Sequence, residues 1–372
     1  MGLERLLPAF IKHPLEELVR WPGRRKYRAS VAERPFALAA GAPRINYAGK
    51  EPRPGQIVHG GRVKLLGLLE RFPHCETEFN AIYLVSSALP LHVSEFVRWA
   101  KARGVKLIWN QNGVAFPAWA GGSTHAVNRP MAELLRLADF VVYQSEFCRQ
   151  SADRQLGPAS CPWTVLFNPV DLTQFQPAPR SHQTWELLAA GTHNQSFRVL
   201  GAIETLRLLR AAGHPARLTI AGELRWAGAQ REVRTAIDAA NLTEAVALKP
   251  PFTQTEALAM LQSAHILLHA KYADPCPTMV IEAMACGVPV VGSRTGGMPE
   301  LVGSEGGVLI DVPFSYDRAS FPTPEQMAAA VTEIMQAWPE KSRQARARAE
   351  RLFDREQWLE EHRRIFEACL AR

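Results

Sequence analysis

The stretch HAKYADPCPTMVIEAMACGVPVVGSRTGGMPELVG, residues 269–303, decides the fold. An apolar strand is predicted to end near Ala270, and the loop that follows it holds Asp274. A helix is predicted from about Thr278 to Cys286, and the apolar run VPVVGS at 288–293 predicts the next strand. A strand, a crossover helix and a second strand in so few residues indicate a βα unit of a parallel sheet.

The start of this helix is a candidate anion-binding site. Thr278 is a favourable N-cap residue, so the backbone N–H groups of residues 279–281 are predicted to point outward without an internal partner. Glu282 lies about one turn further on, and its side chain tilts back towards the helix start. Asp274 and Glu282 then flank one phosphate-competent helix end, where a carboxylate can accept hydrogen bonds from two neighbouring sugar hydroxyls. The alternative interpretation is an ordinary helix that carries an acidic residue.

Two series of strands and helices surround this unit. The first predicts strands at 81–87, 105–111, 139–145 and 163–169, alternating with helices near 62–70, 91–103, 131–137 and 146–155. The second predicts strands at 185–191, 216–223, 245–251, 265–270, 288–293 and 307–312. Thr323, Pro324 and Gln326 then form a capping-box pattern that predicts the start of a further helix.

These series predict two α/β domains. We expect a first domain at 55–173, a Pro- and Gln-rich linker at 174–183 and a second domain at 184–352. The last helix, at 353–372, either stays with the second domain or crosses back to the first. Ligands of doubly wound sheets bind at the carboxyl ends of the strands, so a cleft between the domains is the expected site.

Composition is that of a globular, enzyme-sized chain. The 372 residues are about twice the usual length of one domain, and 47% of them are hydrophobic. Six scattered cysteines without a CxxC pair favour a reducing compartment, and no apolar run has the length of a membrane span. We therefore expect a cytoplasmic protein. Its net charge of +7 favours anionic partners, and nucleic acid is not among those expected because no recognisable module interleaves basic and aromatic residues.

Residues 1–54 form a basic amino-terminal segment with two open interpretations. Its first thirty residues carry seven basic and three acidic side chains among leucines and aromatic residues. Such a segment can lie on the anionic inner surface of a membrane as an interfacial helix. Alternatively, it packs on the first domain and completes it.

The segment DPCPTMVIEAMACGVPVV resembles the acidic-x7-Glu signature of glycosyltransferase family 4, the retaining, nucleotide-sugar-dependent enzymes of the GT-B fold. HGGRVKLLGLLERF at 59–72 resembles the glycine loop and first helix of that family, and further resemblances lie at 137–157, 165–175 and 189–209. Coverage runs from about residue 57 to residue 303. The resemblance implies an α/β protein with two Rossmann-like doubly wound domains that face each other across a cleft. One departure is Asp274, where glutamate is commoner.

The resemblance also implies a donor site that both domains build. The family commonly has an arginine directly after the glycine at 191 and a lysine about five residues later, and this chain has neither. We expect Arg198 to bind the donor diphosphate instead, since a guanidinium suits bidentate phosphate contact; the alternative is a surface arginine. The expected donor-binding residues are Gly60, Gly61, Thr192, His193, Asn194, Arg198, Pro277, Thr278, Met279, Val280, Glu282, Gly296 and Gly297.

Candidate catalytic residues come from both domains. Asp274 and Glu282 are expected to hold the transferred sugar. Asn110 and Asn112, in WNQNG at 109–113, stand at a strand end where many relatives carry histidine; a plain turn is the alternative. The neighbouring AFPAWAGG at 115–122 is expected to be an acceptor loop.

The implied function is transfer of a sugar, with retention, from a nucleotide-diphosphate donor to a glycan or lipid-linked acceptor. Surface polysaccharide or lipopolysaccharide synthesis at the cytoplasmic face of a membrane is the implied setting, and the enzyme would be a glycosyltransferase of hexosyltransferase type. Helix N–H groups and Arg198 would stabilise the leaving diphosphate without a cofactor or metal. The competing function is a non-catalytic GT-B subunit that binds a sugar nucleotide or acts as a scaffold, which the missing arginine after Gly191 favours.

Overall fold

The computed structural model describes residues 23–49, 51–52, 62–120, 124–181 and 183–372. Within these ranges, parallel strands form a five-stranded sheet in the first half of the chain and a six-stranded sheet in the second half. The fold class expected from the sequence, an α/β protein with two Rossmann-like domains, is confirmed.

The first domain has the sheet order β2-β4-β5-β6-β7, and β1 pairs with β3 beside it. Its elements are α1 over residues 23–32, β1 Ala37–Leu38, β2 Ile45–Asn46, α2 Val63–Arg71, β3 Glu78–Phe79, β4 Ala81–Val85, α3 Val93–Lys101, β5 Lys106–Gln111, α4 Pro117–Ala120, α5 His125–Leu137, β6 Phe140–Tyr143, α6 Glu146–Leu156 and β7 Trp163–Val165.

The second domain has the sheet order β10-β9-β8-β11-β12-β13. Its elements, with the helices that follow them, are β8 Trp185–Ala190, α7 Ser196–Ala211, β9 Ala216–Ala221, α8 Ala229–Ala239, β10 Val246–Lys249, α9 Gln254–Ser263, β11 Ile266–His269, α10 Thr278–Ala285, β12 Val290–Ser293, α11 Met298–Val302, β13 Gly307–Ile310, α12 Pro324–Gln336, α13 Trp338–Leu352 and α14 Arg355–Leu370. The capping box predicted at Thr323 is present at the start of α12.

Successive residues of a strand pack into different hydrophobic cores, one on each face of the sheet. In β8, Leu188 packs into the core beneath α10, whereas Leu187 packs into the opposite core beneath α7 and α12. In β4, Leu84 and Tyr83 divide in the same way between the two faces of the first sheet. Because side chains alternate across a strand, both sheets are covered by helices on both faces. The helices leave uncovered the edge of each sheet at which its strands end, and these two edges form the site.

The segment before residue 50 completes the first domain where the structure describes it. Strand β2 begins the five-stranded sheet at Ile45, ahead of the boundary near residue 55 that the sequence pattern suggested. Arg24 and Arg28 both pair with the buried carboxylate of Glu95 on α3, at 2.9 and 3.0 Å. Residues 1–22, where the membrane-contact interpretation places its apolar side chains, lie outside the described residues. None of the described helices combines the length and apolar character that a membrane crossing needs.

The last helix, α14, packs on the first domain. The chain leaves the second domain beside residue 170, where the Val170 N–H donates to the Phe353 carbonyl at 2.8 Å. Phe366 is fully buried and packs edge-on against Phe72, with ring centroids 5.0 Å apart. His362 Nε2 lies 3.0 Å from the Tyr83 hydroxyl of β4. The two domains are therefore joined by two chain crossings, the linker and the start of α14.

Truncating Phe366 to alanine should lower the free energy of unfolding by about 3–5 kcal/mol, because a fully buried ring leaves a cavity between α14 and the first sheet. Urea denaturation measures this loss. Glu367→Ala, one residue further along the same helix and exposed, is the matched control and should change stability by less than about 0.5 kcal/mol. Equal stability of the two variants would contradict the packing of α14 on the first domain.

Candidate active site

A cavity of about 780 Å³ lies between the carboxyl ends of the two sheets. This volume is in the range of ligand and cofactor pockets. Both domains line it, the first through residues after β4 and β5 and the second through residues after β8, β9 and β11. The sequence-predicted residues that line it are Asn112, Thr192, Asn194, Arg198, Asp274, Pro277, Thr278, Met279 and Glu282.

The other predicted residues that the structure describes are not found in the cavity wall. Asn110, His193, Val280, Gly296 and Gly297 are described by the structure and do not contribute to the cavity wall. Gly60 and Gly61 lie outside the described residues.

The start of helix α10 differs from the sequence prediction by one residue. Pro277, not Thr278, occupies the N-cap position, and no side chain caps the helix there. The N–H groups of Val280 and Ile281 donate to the Pro277 carbonyl at 3.1 and 3.3 Å, so they are not free for an anion. The N–H groups that no described carbonyl accepts are those of Thr278 and Met279, and both residues face the cavity. The free N–H groups thus begin one residue earlier than predicted, and the prediction that Val280 supplies one of them was wrong.

Asp274 is a buried carboxylate held by two basic side chains. Its Oδ2 accepts from the Lys271 ammonium at 2.9 Å and faces His269 Nε2 at 3.2 Å. Burial opposes ionisation, but the ammonium and the imidazole outweigh it and hold the pKa of Asp274 well below its usual value. Asp274 is therefore ionised throughout the neutral range, and Lys271 and His269 fix its orientation.

The pKa of Glu282 is shifted in the opposite direction from that of Asp274. Glu282 is 4% exposed on the inner side of α10, and Gln254 is the side chain that counteracts the effect of this burial on its carboxyl. Burial raises the pKa of Glu282 to about 8. In the unliganded site at pH 7 the group is mostly a neutral acid that can donate one hydrogen bond, rather than the acceptor-only carboxylate that the sequence predicted.

Arg198 is a buried cation in the cavity wall, and not the surface arginine of the alternative interpretation. Its side chain is 7% exposed and donates to the Thr192 carbonyl at 2.9 Å. Burial lowers the pKa of Arg198 to about 10, although the negative charge of Asp274 counteracts this, so the guanidinium stays charged at pH 7. Asp274, Lys271 and Arg198 together leave one positive charge in excess on this side of the cavity.

His193 does not line the cavity. Its Nε2 lies 3.1 Å from the Ala221 carbonyl of β9, and its backbone pairs with Glu223 and Arg225. Burial and the charge of Arg198 lower its pKa to about 4, so the ring is neutral. The predicted donor role of His193 is therefore replaced by a structural one between β8 and β9.

The glycine turn after β12 supports the Asp274 loop. The Gly297 N–H donates to the Asp274 carbonyl at 2.9 Å. Gly296 has a φ of +69°, and a Cβ on Gly297 would lie 2.0 Å from the Pro275 oxygen. Only glycine allows this approach. Gly296 and Gly297 were predicted to bring backbone to the donor, but they lie outside the cavity wall and support the loop that carries Asp274.

Asn110 and Asn112 belong to a buried amide network. Asn110 is 1% exposed, and its side chain bonds to the Lys64 ammonium and the Tyr83 hydroxyl. Asn112 lines the cavity, but its amide oxygen accepts from Lys64 and its NH₂ donates to Ser87. A direct catalytic contact is therefore not available to Asn110, and these residues are not a plain turn either.

The first-domain side of the cavity is largely apolar. Phe116, Trp119, Val127 and Phe147 line it, and the Trp119 side chain is 46% exposed at the mouth. The segment predicted as an acceptor loop contributes Ala115 and residues 116 and 119 to this wall, while residues 121–123 lie outside the described ranges. The cavity thus has a charged half and an apolar half.

Sequence reasoning missed Lys64, His269 and Lys271. His269 ends strand β11 and Lys271 follows it, so their position at the carboxyl end of a strand was the available signal. Lys64 stands on the apolar face of α2, four residues before the buried Leu68, where a lysine is unusual. Across the described residues, no group of three or more His, Cys, Asp or Glu side chains is arranged to hold a metal ion.

The fold belongs to a known class. The chain superposes on HepE of Anabaena, solved with UDP and glucose, with a TM-score of 0.66, 14% identity, and coverage of 88% of this chain and 100% of that one. It superposes on sucrose-phosphate synthase from Thermosynechococcus elongatus with a TM-score of 0.63, 18% identity, and coverage of 79% and 74%. At these identities the likeness shows the fold alone, and that fold is GT-B.

The second half of the chain resembles a known family. Residues 173–351 match the family described as Glycosyl transferases group 1.

Curated relatives match over part of their length. The glycogen synthase of Mycobacterium tuberculosis is 28% identical over 247 residues, which cover 64% of this chain and 56% of the relative. The putative colanic acid biosynthesis glycosyltransferase WcaL of Escherichia coli is 29% identical over 45% of this chain and 40% of its own. A D-inositol 3-phosphate glycosyltransferase of Pseudarthrobacter chlorophenolicus is 30% identical over 38% of this chain and 36% of its own. The chain spans about half the length of these relatives or less.

The raised pKa of Glu282 predicts a pH-dependent stability. A carboxyl whose pKa is higher in the folded than in the unfolded chain stabilises the fold fully below about pH 4.5, and this contribution is lost as the pH rises towards 8. Between these limits Glu282 should reduce stability by up to about 1.4 kcal/mol per pH unit. Glu282→Gln should match the unmodified protein at pH 4.5 and exceed it in melting temperature at pH 8.

The control is Glu333→Gln, whose side chain is exposed and should leave the pH dependence unchanged. Thermal melts of the three proteins without ligand, from pH 4.5 to pH 8.5, make the comparison. Parallel curves for Glu282→Gln and the unmodified protein would show that Glu282 is ionised in the folded chain at neutral pH.

Proposed function

We propose that the chain transfers a sugar, with retention and without a metal, from a nucleotide-diphosphate donor to a glycan or lipid-linked acceptor. One observation carries the proposal: the carboxylate of Asp274, the carboxyl of Glu282 and the cations of Lys271 and Arg198 all line one cavity at the start of α10. The match of residues 173–351 to a glycosyl transferase family supports it. Because the solved HepE complexes contain UDP, uracil is the first nucleotide base to test.

The charged half of the cavity suits a leaving diphosphate. As the glycosidic bond breaks, negative charge grows on the phosphate oxygens. The Arg198 guanidinium, the Lys271 ammonium and the free N–H groups of Thr278 and Met279 face the cavity where this charge would develop. Preorganised donors in a poorly hydrated cleft are each worth about 3 kcal/mol in such a transition state. These four groups are the stabilisation that the proposal assigns to the protein instead of a divalent cation.

The two carboxyl groups suit the transferred sugar. Asp274 is ionised and oriented by Lys271 and His269, so it accepts hydrogen bonds from sugar hydroxyls. Glu282 is a neutral acid before binding, so it can both donate and accept. The acceptor hydroxyl attacks from the face that the diphosphate leaves, and its proton passes to a departing phosphate oxygen. No side-chain base is needed for this step.

The apolar half of the cavity suits an acceptor with a hydrophobic portion. Trp119 and Val127 are large exposed apolar side chains at the mouth, and they are favourable neighbours for a lipid or an aromatic group beside the acceptor hydroxyl. The amino-terminal segment, whose first thirty residues carry seven basic and three acidic side chains, would bring such an acceptor from an anionic membrane surface. Synthesis of a surface polysaccharide or lipopolysaccharide is the setting that this acceptor class fits.

The proposal is tested by incubating the protein with a panel of nucleotide sugars, headed by UDP sugars, and with alkyl glycosides of graded chain length. Transfer should occur with one donor, should continue in EDTA and should give a product whose anomeric configuration, read by NMR coupling constants, equals that of the donor. Inverted product, or activity that is lost in EDTA and restored only by Mg²⁺ or Mn²⁺, would contradict the mechanism. Donor binding without transfer would favour the non-catalytic alternative.

Arg198→Ala should weaken nucleoside-diphosphate binding by about 1.5–3 kcal/mol, the value of a hydrogen bond to a charged partner. Arg198→Lys should recover part of this loss, because an ammonium keeps the charge but not the fork of two donors. Titration calorimetry with UDP measures both. The control is Arg207→Ala on the same helix, whose side chain is paired with Glu204 at the surface and should leave affinity unchanged. Unchanged affinity in both Arg198 variants would remove Arg198 from the donor site.

A further inference from the structure

Lys64 is a buried cation whose position the transferase proposal does not use. The side chain lies on α2 and is 5% exposed. Its ammonium donates to three amide oxygens, those of Asn110 at 2.5 Å, Asn112 at 3.1 Å and Asn168 at 3.2 Å. An ammonium has three protons and accepts nothing, so its hydrogen-bonding capacity is filled by these three asparagines.

Among the described residues, the charge of Lys64 has no counter-charge. The titratable groups that face it are Cys148 on α6, Cys276 in the Asp274 loop and His362 on α14; Tyr83 on β4 reaches it through Asn110. Burial raises the pKa of both thiols to about 12 and lowers that of His362 to about 3. Burial also raises the pKa of Tyr83. All four groups are neutral at pH 7, and no described carboxylate pairs with the ammonium.

Such a lysine does not serve stability alone. A buried charge without a partner is costly, and an apolar side chain of similar length would pack there at lower cost. Consistent with this cost, burial lowers the pKa of Lys64 to about 7. The residue is therefore better explained by what its three hydrogen bonds position.

Each of these bonds fixes the direction of an amide. Because the ammonium only donates, each asparagine must turn its oxygen towards Lys64 and its NH₂ away from it. The NH₂ of Asn168 then donates to the Cys276 carbonyl at 2.8 Å, and that of Asn112 donates to Ser87. Gln144 links the same two amide oxygens, at 2.6 and 3.0 Å. If Asn168 reversed, its oxygen would face the Cys276 carbonyl, and the two would repel.

The network therefore joins the two walls of the cavity. Asn112 belongs to the first-domain wall, and Cys276 lies between Asp274 and the start of α10 in the second-domain wall. We propose that Lys64 is a positioning residue: through the asparagine oxygens it fixes the Asp274 loop against the first domain and so sets the distance between the donor groups and the acceptor wall. This deepens the proposed function and rests on it only for the kinetic part of the test.

The first test measures the loop directly, without substrate. Amide hydrogen exchange of the segment 273–281, corrected for the intrinsic effect of pH, should be at least tenfold faster in Lys64→Met than in the unmodified protein at pH 6. Lys64→Arg should restore part of the protection. The control is Arg71→Met, at the surface end of the same helix, which should leave the loop unchanged. Equal protection in Lys64→Met and the unmodified protein would overturn the proposal.

Asn110→Asp provides a variant that keeps the shape of the network. It places a carboxylate beside the ammonium, so Lys64 should stay charged to higher pH and the loop should stay protected at pH 8.5, where the unmodified protein loses protection. Glu282 titrates in both proteins alike, so the difference between them reports Lys64. Identical pH dependence of the loop in the two proteins would also overturn the proposal, even if Lys64→Met does not fold.

The kinetic part separates this inference from the proposed function. Where transfer is found, Lys64→Met should lower kcat at least tenfold with a smaller change in the donor KM, and Asn110→Asp should move the alkaline limb of the pH profile upward. Transfer with unchanged kcat in Lys64→Met contradicts the positioning role alone. Absence of transfer by the unmodified protein contradicts the proposed function, and the exchange measurements still decide the role of Lys64.

Discussion

The close approach of the Gly296–Gly297 turn to the Asp274 loop is the constraint on which the site depends. A Cβ at Gly296 would come within 2.6 Å of the Ala273 and Asp274 backbone, and one at Gly297 within 2.0 Å of the Pro275 oxygen. The backbone of the turn therefore packs directly against the loop that carries Asp274 and leads into α10. Glu300, three residues later, accepts from the N–H groups of Glu146 and Phe147 at the start of α6, at 2.7 and 2.8 Å. One short segment, from Gly296 to Glu300, thus packs against the Asp274 loop and also bonds to the first domain.

Charge is distributed in the cavity in a way that leaves room for an anion. The charge of Asp274 is compensated by Lys271, His269 lies within hydrogen-bond distance of the same carboxylate, and Arg198 is buried nearby with its charge only partly offset by Asp274. Glu282 avoids a second negative charge by staying protonated at neutral pH. Lys64, behind the first-domain wall, adds a further positive charge below about pH 7, because burial lowers its pKa to about 7. Because buried charge is costly without a partner, a bound diphosphate would supply the negative charge that this arrangement lacks.

The sequence predicted the elements that a clear apolar pattern marks. Strand β11 and helix α10 lie where the run before Ala270 and the helical pattern after Pro277 placed them, and the capping box at Thr323 begins α12. Strand β2 was not located, because two residues carry no periodicity and their pairing with β4 is a tertiary property. The return of α14 to the first sheet is tertiary in the same sense.

Side-chain roles were harder to predict than elements. Sequence spacing placed Asp274 and Glu282 at the cavity, because one follows a strand and the other lies one turn inside the next helix, and the family resemblance placed Arg198 there. The resemblance also suggested ligand contacts for His193 and Asn110, whose side chains instead bond to Ala221 and Lys64, partners that are distant in sequence. Sequence spacing also gave Thr278 the N-cap position that Pro277 takes. A motif fixes which residues approach the site, but the direction of each polar group depends on partners that only the folded chain supplies.

The most direct test of the account is a crystal structure of the protein with the nucleotide sugar that it binds. The account predicts that the diphosphate lies within hydrogen-bond distance of Arg198 and of the Thr278 and Met279 N–H groups, and that the sugar hydroxyls contact Asp274 and Glu282. A diphosphate bound outside the cavity, or inside it but coordinated by a metal ion and away from Arg198 and the start of α10, would contradict the account.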